Sequence, residues 1–121
     1  MAERISFIKH KGKEILLIDF SHCEPKQILV MLSEIQQTVA QHARGSMLTL
    51  SDMTGAHVDR DAVTRMKEVL VRDRPFVKRS AWFGVDTIPK VYYENIKSFS
   101  QREISLFHTR EEAMDWLVKE E

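Results

Sequence analysis

The sequence predicts an α/β domain, with a mixed sheet of about five strands that opens with a β-hairpin and about four helices. Three observations support this class. Two segments rich in β-branched residues flank a polar turn near the start of the chain. After them, short apolar segments alternate with segments of helical periodicity, which favours parallel strands joined by right-handed crossovers. No linker or repeat interrupts residues 1–121, so we expect a single domain.

The first two elements form the predicted hairpin. Arg4–His10 contains branched and aromatic residues typical of a strand, and Glu14–Phe20 is more strongly apolar. The polar segment His10–Lys13 between them carries Gly12, which suits a tight turn. The two strands are therefore expected to pair antiparallel.

The first helix is predicted to begin at Pro25, because proline in the first helical turn loses no hydrogen bond. It is expected to end at Arg44–Gly45, where glycine suits a left-handed cap. Its apolar residues recur on one face: Ile28, Leu32, Ile35, Val39 and Ala43.

A short buried strand, Met47–Ser51, precedes the second helix, which Asp59 can cap and which Pro75 should stop. The apolar face of this helix is formed by Ala62, Met66, Val69 and Leu70. In the following strand, 76–85, the neighbours Trp82 and Phe83 should point to opposite faces of the sheet.

The third helix is predicted to begin near Asp86–Thr87, with a broad core-facing stripe. That stripe comprises Ile88, Val91, Tyr92, Ile96 and Phe99. Ile104–Phe107 follows as a short strand. Thr109 and Glu112 then form a capping-box pattern at the start of the fourth helix.

Composition excludes several classes of function. Lys plus Arg equals Asp plus Glu, 18 against 18, so the basic excess typical of a nucleic-acid binder is missing. The neutral charge also favours self-association, which leaves a homodimer open. The lone Cys23 and the lack of a signal-like N-terminal segment predict a cytoplasmic protein. The longest apolar run, Ile15–Ile18, is too short to span a membrane.

Four short motifs, in order along the whole chain, carry a resemblance to a known family. They are 10–13 leading into 18–21, 48–55, 77–81 leading to 84–85, and 107–113 leading to 116–117. On these motifs the chain resembles the SpoIIAA-like family, a branch related to STAS domains. The resemblance implies a STAS-like fold and a non-catalytic binding module of largely uncharacterised type. A link of this branch to CRAL-TRIO lipid-binding domains implies an apolar ligand or membrane contact.

The same resemblance implies a second function, since STAS antagonists of anti-sigma factors bind protein partners and carry a serine that a kinase phosphorylates. The corresponding stretch here is 59–62, Asp-Arg-Asp-Ala, which has no hydroxyl group. A protein-interaction module without the phosphorylation switch is therefore the alternative function. We predict that its partner-binding residues follow the central strand: Asp52, Thr54, Gly55, His57 and Asp59.

Three polar loops should gather at the carboxyl ends of the strands, where ligands of α/β sheets bind. Ser21 and nearby histidines and aspartates supply residue types that nucleophilic catalysis needs, but no Gly-x-Ser-x-Gly elbow frames a serine. His22 and Cys23 are adjacent, which does not fit the ligand spacing of a zinc site. Glycine-rich phosphate-binding motifs are missing too. We therefore predict neither catalysis, nor a metal, nor a cofactor.

The aromatic residues around the third helix provide the predicted ligand site for an apolar or lipid-like molecule. It comprises Trp82, Tyr92, Tyr93 and Phe99. The alternative is that the same residues only fill the core. The one basic cluster, 72–79, most simply forms a solvated surface, although contact with an anionic membrane surface stays open.

Overall fold

The computed structural model describes residues 3–100 and 104–119. It contains five strands, four α-helices and a single 3₁₀ turn at Val85–Thr87 within those residues. In chain order the elements are β1 (Ile5–His10), β2 (Lys13–Asp19), α1 (Pro25–Val39), β3 (Met47–Asp52), α2 (Arg60–Asp73), β4 (Val77–Phe83), α3 (Lys90–Ser100), β5 (Ile104–Phe107) and α4 (Arg110–Leu117).

The sheet has the order β1-β2-β3-β4-β5, the same as the order of the strands along the chain. β1 and β2 pair antiparallel across the Lys11–Gly12 turn, with His10 opposite Lys13. All later neighbours pair parallel. The predicted α/β class, the opening hairpin and the numbers of strands and helices are therefore confirmed.

Helices cover both faces of the sheet, because β2, β3 and β4 carry apolar side chains on each side. Leu16, Ile18 and Trp82 belong to the larger core cluster, with residues of α1, α2 and α3. Phe83 and Ala81 belong to a smaller cluster, with residues of α4. Trp82 and Phe83 thus point to opposite faces, as predicted.

Two cations from the sheet hold the carboxyl end of α4. The Arg79 guanidinium donates to the carbonyl oxygens of Trp116 (3.0 Å) and Lys119 (2.6 Å), and it lies 5.5 Å from the centroid of the Trp116 ring. Lys13 Nζ donates to the carbonyl oxygen of Val118 at 3.2 Å. Positive charge near the last carbonyls of a helix is favourable, so this eight-residue helix is fixed by more than its apolar face.

The predicted end of α1 is wrong, since the helix ends at Val39 and not at Arg44–Gly45. The carbonyl oxygen of Thr38 accepts hydrogen bonds from Nδ1 of His42, at 2.9 Å, and from the amide of Gln41. These bonds provide partners for a carbonyl group in the last turn of the helix, so the helix can end there. Ala43, predicted to lie on the apolar stripe, is exposed.

The predicted start and face of α3 also need correction. Ile88 is extended, with φ −99° and ψ 120°, because the residue before a proline is biased away from helical geometry. The helix therefore begins at Lys90, after Pro89. Within the predicted stripe Ile96 is buried, whereas Val91 and Phe99 are 66% and 57% exposed. The buried face is narrower than predicted and includes Ser100.

Candidate functional site

The carboxyl ends of the four parallel strands lie at one edge of the sheet. Asp19 pairs with Asp52, Asp52 with Phe83, and Phe83 with Phe107. The segments that follow these strands, 20–24, 53–59, 84–89 and 108–109, consequently meet at this edge, which we call the carboxyl rim. The sequence predicts this gathering of polar loops.

In the first loop, the Asp19 carboxylate accepts hydrogen bonds from within its own turn. Oδ1 of Asp19 accepts from the Ser21 amide at 2.9 Å and from Ser21 Oγ at 2.5 Å. The Arg4 guanidinium donates to the carbonyl oxygens of Asp19 and Ser21, each at 3.0 Å. The Ser21 hydroxyl therefore donates to a carboxylate that is itself part of a turn, as in the structural role expected for Asx and Ser turns.

In the second loop, the Asp52 carboxylate accepts from the Thr54 amide at 3.0 Å. Backbone bonds join this loop to the first: the His22 amide donates to the Thr54 carbonyl at 2.8 Å, and the His57 amide to the Cys23 carbonyl at 2.9 Å. The Thr87 hydroxyl of the third loop donates to the Ala56 carbonyl at 2.9 Å. The three loops are thus bonded to one another and not merely adjacent.

Two glycines allow these loops to approach closely. A methyl group on Gly55 would overlap the His22 imidazole, and one on Gly84 would overlap both the hydroxyl and the backbone nitrogen of Thr54. His22 itself has φ 56°, a left-handed conformation that is uncommon for a residue other than glycine. The close packing fixes the relative positions of the loops at the rim.

The predicted partner-binding residues fall into two groups. Asp52 and Asp59 act in local structure, since Asp59 Oδ1 accepts from the Ala62 amide at 2.8 Å and caps α2. Gly55 lies against His22. Thr54 and His57 are exposed, and their side chains make no polar contact within residues 3–100 and 104–119. We define the rim surface as four exposed residues from the three loops: His22, Thr54, His57 and Asp86.

A surface cavity of about 210 Å³ lies at the same edge, between the third loop and the end of β5. It is lined by Gly84, Val85, Asp86, Leu106, Phe107 and His108. It therefore borders the rim surface at Asp86.

The four residues predicted to bind an apolar ligand lie in different surroundings. Trp82 is 4% exposed, and its ring meets that of Tyr93 edge to face, with the centroids 6.0 Å apart. The Tyr93 hydroxyl donates to the Ile104 carbonyl at 2.7 Å, and burial, together with the charge of Glu94, raises the pKa of this phenol. Tyr92 packs partly buried against the larger core cluster. Phe99 lies on the surface, with Lys67 Nζ 5.1 Å from its ring centroid.

The space beside Trp82 is small and lies under α1 and α2 instead of α3. Its volume is about 40 Å³, whereas sites for drug-sized ligands enclose several hundred cubic ångströms. Tyr92, Tyr93 and Phe99 do not line it. As it stands, this space suits a few water molecules.

Sequence reasoning missed the polar residues that face this space. Thr49 and Ser80 are buried opposite each other on β3 and β4, with Oγ1 and Oγ 2.8 Å apart, and Ser51 and Asp73 are buried nearby. A signal existed: hydroxyl residues alternate with leucine in 48–51, which marks polar groups on one face of an otherwise apolar strand. The hydrogen bonds from Arg4 to the first loop have no comparable signal in the sequence, because they depend on the register of the hairpin.

No group of three or more His, Cys, Asp or Glu side chains among the described residues is arranged to hold a metal ion. Cys23 is fully buried, with its Sγ 3.8 Å from Sδ of Met31. Burial raises the pKa of the Cys23 thiol, and the Arg4 guanidinium offsets part of that rise.

We expect Cys23 to react with a thiol reagent such as DTNB only when the chain unfolds. The thiolate is the reactive form, and both the raised pKa and the burial suppress its attack. Labelling followed across a urea gradient should therefore track the loss of far-UV circular dichroism. A Gln37→Cys variant, which places a thiol on the exposed face of α1, serves as the reactive control. Rapid stoichiometric labelling of native Cys23 would contradict the prediction.

Comparison with known proteins finds no matching family model, no matching curated protein and no matching solved structure. Among the helices that the structure describes, none is long and apolar enough to cross a membrane.

Proposed function

We propose that the chain is a non-catalytic protein-interaction module that contacts its partner through the rim surface and the start of α2. The observation that carries this proposal is the bonding of the three rim loops to one another, by His22 to Thr54, His57 to Cys23 and Thr87 to Ala56. A surface fixed in this way loses little conformational entropy on binding. Exposed hydroxyl, imidazole and carboxylate groups then supply specific hydrogen bonds.

The polar chemistry of the rim also supports recognition. The carboxylates of Asp19, Asp52 and Asp59 each accept a backbone amide, so they orient loops. The groups left facing solvent, Thr54 and His57, come from the segment that we predict to bind a partner. The predicted resemblance to SpoIIAA-like and STAS domains, from which that segment was inferred, favours the same partner-binding role.

Affinity capture with rim variants tests the proposal. The tagged chain is used to isolate proteins from its native cells, and the captured partner is then purified and titrated by calorimetry. Replacing both Thr54 and His57 by alanine should weaken binding at least about tenfold, as expected when central interface residues are truncated. Gln37→Ala and Lys78→Ala, exposed on α1 and at the start of β4, are the matched controls and should bind as the native chain does. Equal binding by all four proteins would exclude the rim as the contact surface.

A second candidate function is contact with an apolar or lipid-like ligand at α3, which two exposed apolar side chains favour. Val91 and Phe99 are 66% and 57% exposed, and the Lys67 ammonium lies beside Phe99. This arrangement would suit the surface of a membrane or an acyl chain lying along the helix better than an internal pocket. Solvent extraction of the purified chain followed by mass spectrometry, with vesicle sedimentation, tests this candidate.

A further inference from the structure

One long edge of the sheet is formed by β1, whose outward backbone groups bond to no other residue that the structure describes. In the antiparallel ladder of β1 and β2, alternate residues direct their N–H and C=O groups to the partner strand. The Asp19 amide donates to the Arg4 carbonyl, which places Arg4, Ser6, Ile8 and His10 in the inward-directed set. Ile5, Phe7 and Lys9 therefore direct their backbone groups outward. Within the described residues, no hydrogen bond joins these groups to a segment outside the hairpin.

The opposite edge of the sheet is less available. β5 has four residues, and the carbonyl of Ile104 accepts from the Tyr93 hydroxyl. Short edge strands and covered backbone groups are the usual means of preventing further pairing. β1 has six residues and neither a proline nor a bulge, and its one permanently charged side chain, Lys9, lies near its end.

We propose that two copies of this chain pair antiparallel through β1, with Phe7 of one copy opposite Phe7 of the other. The outward set of three residues is symmetric about Phe7, so a two-fold axis through Phe7 matches every outward donor to an acceptor. Ile5 of each copy then pairs with Lys9 of the other copy. Each such pair exchanges two bonds, which gives about six intermolecular backbone hydrogen bonds.

The side chains are compatible with this register. Phe7 is 41% exposed, contacts His42 at a ring-centroid distance of 5.2 Å, and borders a surface cavity of about 170 Å³. In this register the Cα atoms of the two Phe7 residues would lie about 5.5 Å apart across the paired strands. The second phenylalanine would then cover the exposed part of the ring. Aromatic pairs across strands contribute favourably to sheet association.

Charges agree with the same alignment. Glu3 of one copy falls beside Lys11 of the other, once at each end of the paired strands. The cationic Arg4 falls opposite His10, but each already has an acidic neighbour in its own copy. Arg4 lies 3.9 Å from Asp19, and His10 lies 2.7 Å from Asp115. The alignment therefore brings no uncompensated like charges together.

Disulfide trapping tests this register. In the chain with Cys23→Ala, a Phe7→Cys variant should oxidise almost completely to a covalent dimer, because paired residues lie within disulfide reach. Ile5→Cys and Lys9→Cys alone should not, since each residue is four positions out of register with itself, roughly 13 Å. An equimolar mixture of these two variants should cross-link. Equal cross-linking of all three single variants would overturn the register, because it would indicate random collision.

Sedimentation equilibrium tests the association without cysteines. The native chain should show a monomer–dimer equilibrium. Phe7→Lys should weaken it at least about tenfold by placing like charges together across the axis. Lys9→Pro should also weaken it, because proline removes an outward N–H and leaves the inward ladder intact. A native chain that stays monomeric at millimolar concentration overturns the proposal. The rim surface is separate from this edge, so that result would leave the proposed function unaffected.

Discussion

Replacing Gly84 by alanine should destabilise the chain by roughly 2–4 kcal/mol, a loss that combines two effects. Gly84 has φ 70°, and the left-handed conformation is unfavourable for any residue with a β-carbon. In addition, the new methyl group would overlap the Thr54 hydroxyl and backbone nitrogen. Because a backbone atom is involved, the third loop must move away from the second. Urea unfolding followed by circular dichroism measures the change in the free energy of unfolding.

Gly45→Ala is the matched control for this prediction. Gly45 also has positive φ, 67°, but a methyl group there meets no atom within 4 Å. The free energy of unfolding of Gly45→Ala should therefore fall only by the cost of the left-handed backbone, roughly 1–2 kcal/mol. The difference between the two variants isolates the contact between the rim loops. Equal losses would mean that the third loop is not packed against Thr54. In that case the rim surface would be less rigid than we infer.

Replacing Trp82 by alanine should lower the free energy of unfolding by roughly 3–5 kcal/mol, the range observed for large aromatic residues in filled cores. Trp82 is 4% exposed, and Tyr93 packs against its ring. Where the alanine variant does not fold, Trp82→Phe keeps most of the packing and should lose less. Chemical denaturation followed by far-UV circular dichroism measures both variants.

Phe99→Ala provides the contrast, because the sequence predicts that Phe99 and Trp82 belong to the same ligand site. Phe99 is 57% exposed, and its contact with Lys67 is a surface interaction, so its loss should be below about 1 kcal/mol. If Trp82 lined an open ligand site, its replacement would remove less packing, and the two losses would be similar. Similar losses would therefore favour the apolar-ligand hypothesis over a filled core.

The elements of the fold could be predicted because their signals are local. The hairpin follows from β-branched strands around Lys11–Gly12, and α2 from Asp59 as cap and Pro75 beyond its end. The end of α1 was not predictable from its apolar stripe, because the His42 side chain competes for the Thr38 carbonyl. The start of α3 was set by Pro89, a rule that the sequence did contain.

The candidate site was predictable in position but not in detail. Strand polarity alone brings Asp19, Asp52 and Gly84 to one rim. Which side chains stay free there depends on turns a few residues long: Asp52 bonds to the Thr54 amide, whereas His57 extends into solvent. Which aromatic side chains of α3 are buried depends on how the helix packs against α2 and beside Trp82. The periodicity of the sequence does not encode that packing.

The agreement between strand order and chain order has a consequence for synthesis on the ribosome. Each strand from β2 onward pairs with the strand made immediately before it, and no later segment inserts between two strands already joined. The sheet can therefore grow by accretion at a single moving edge as the polypeptide emerges, with each helix from α1 to α3 available before the strand that follows it. Nascent chains halted after β3 or β4 should already contain the hairpin and the first crossover in their final pairing.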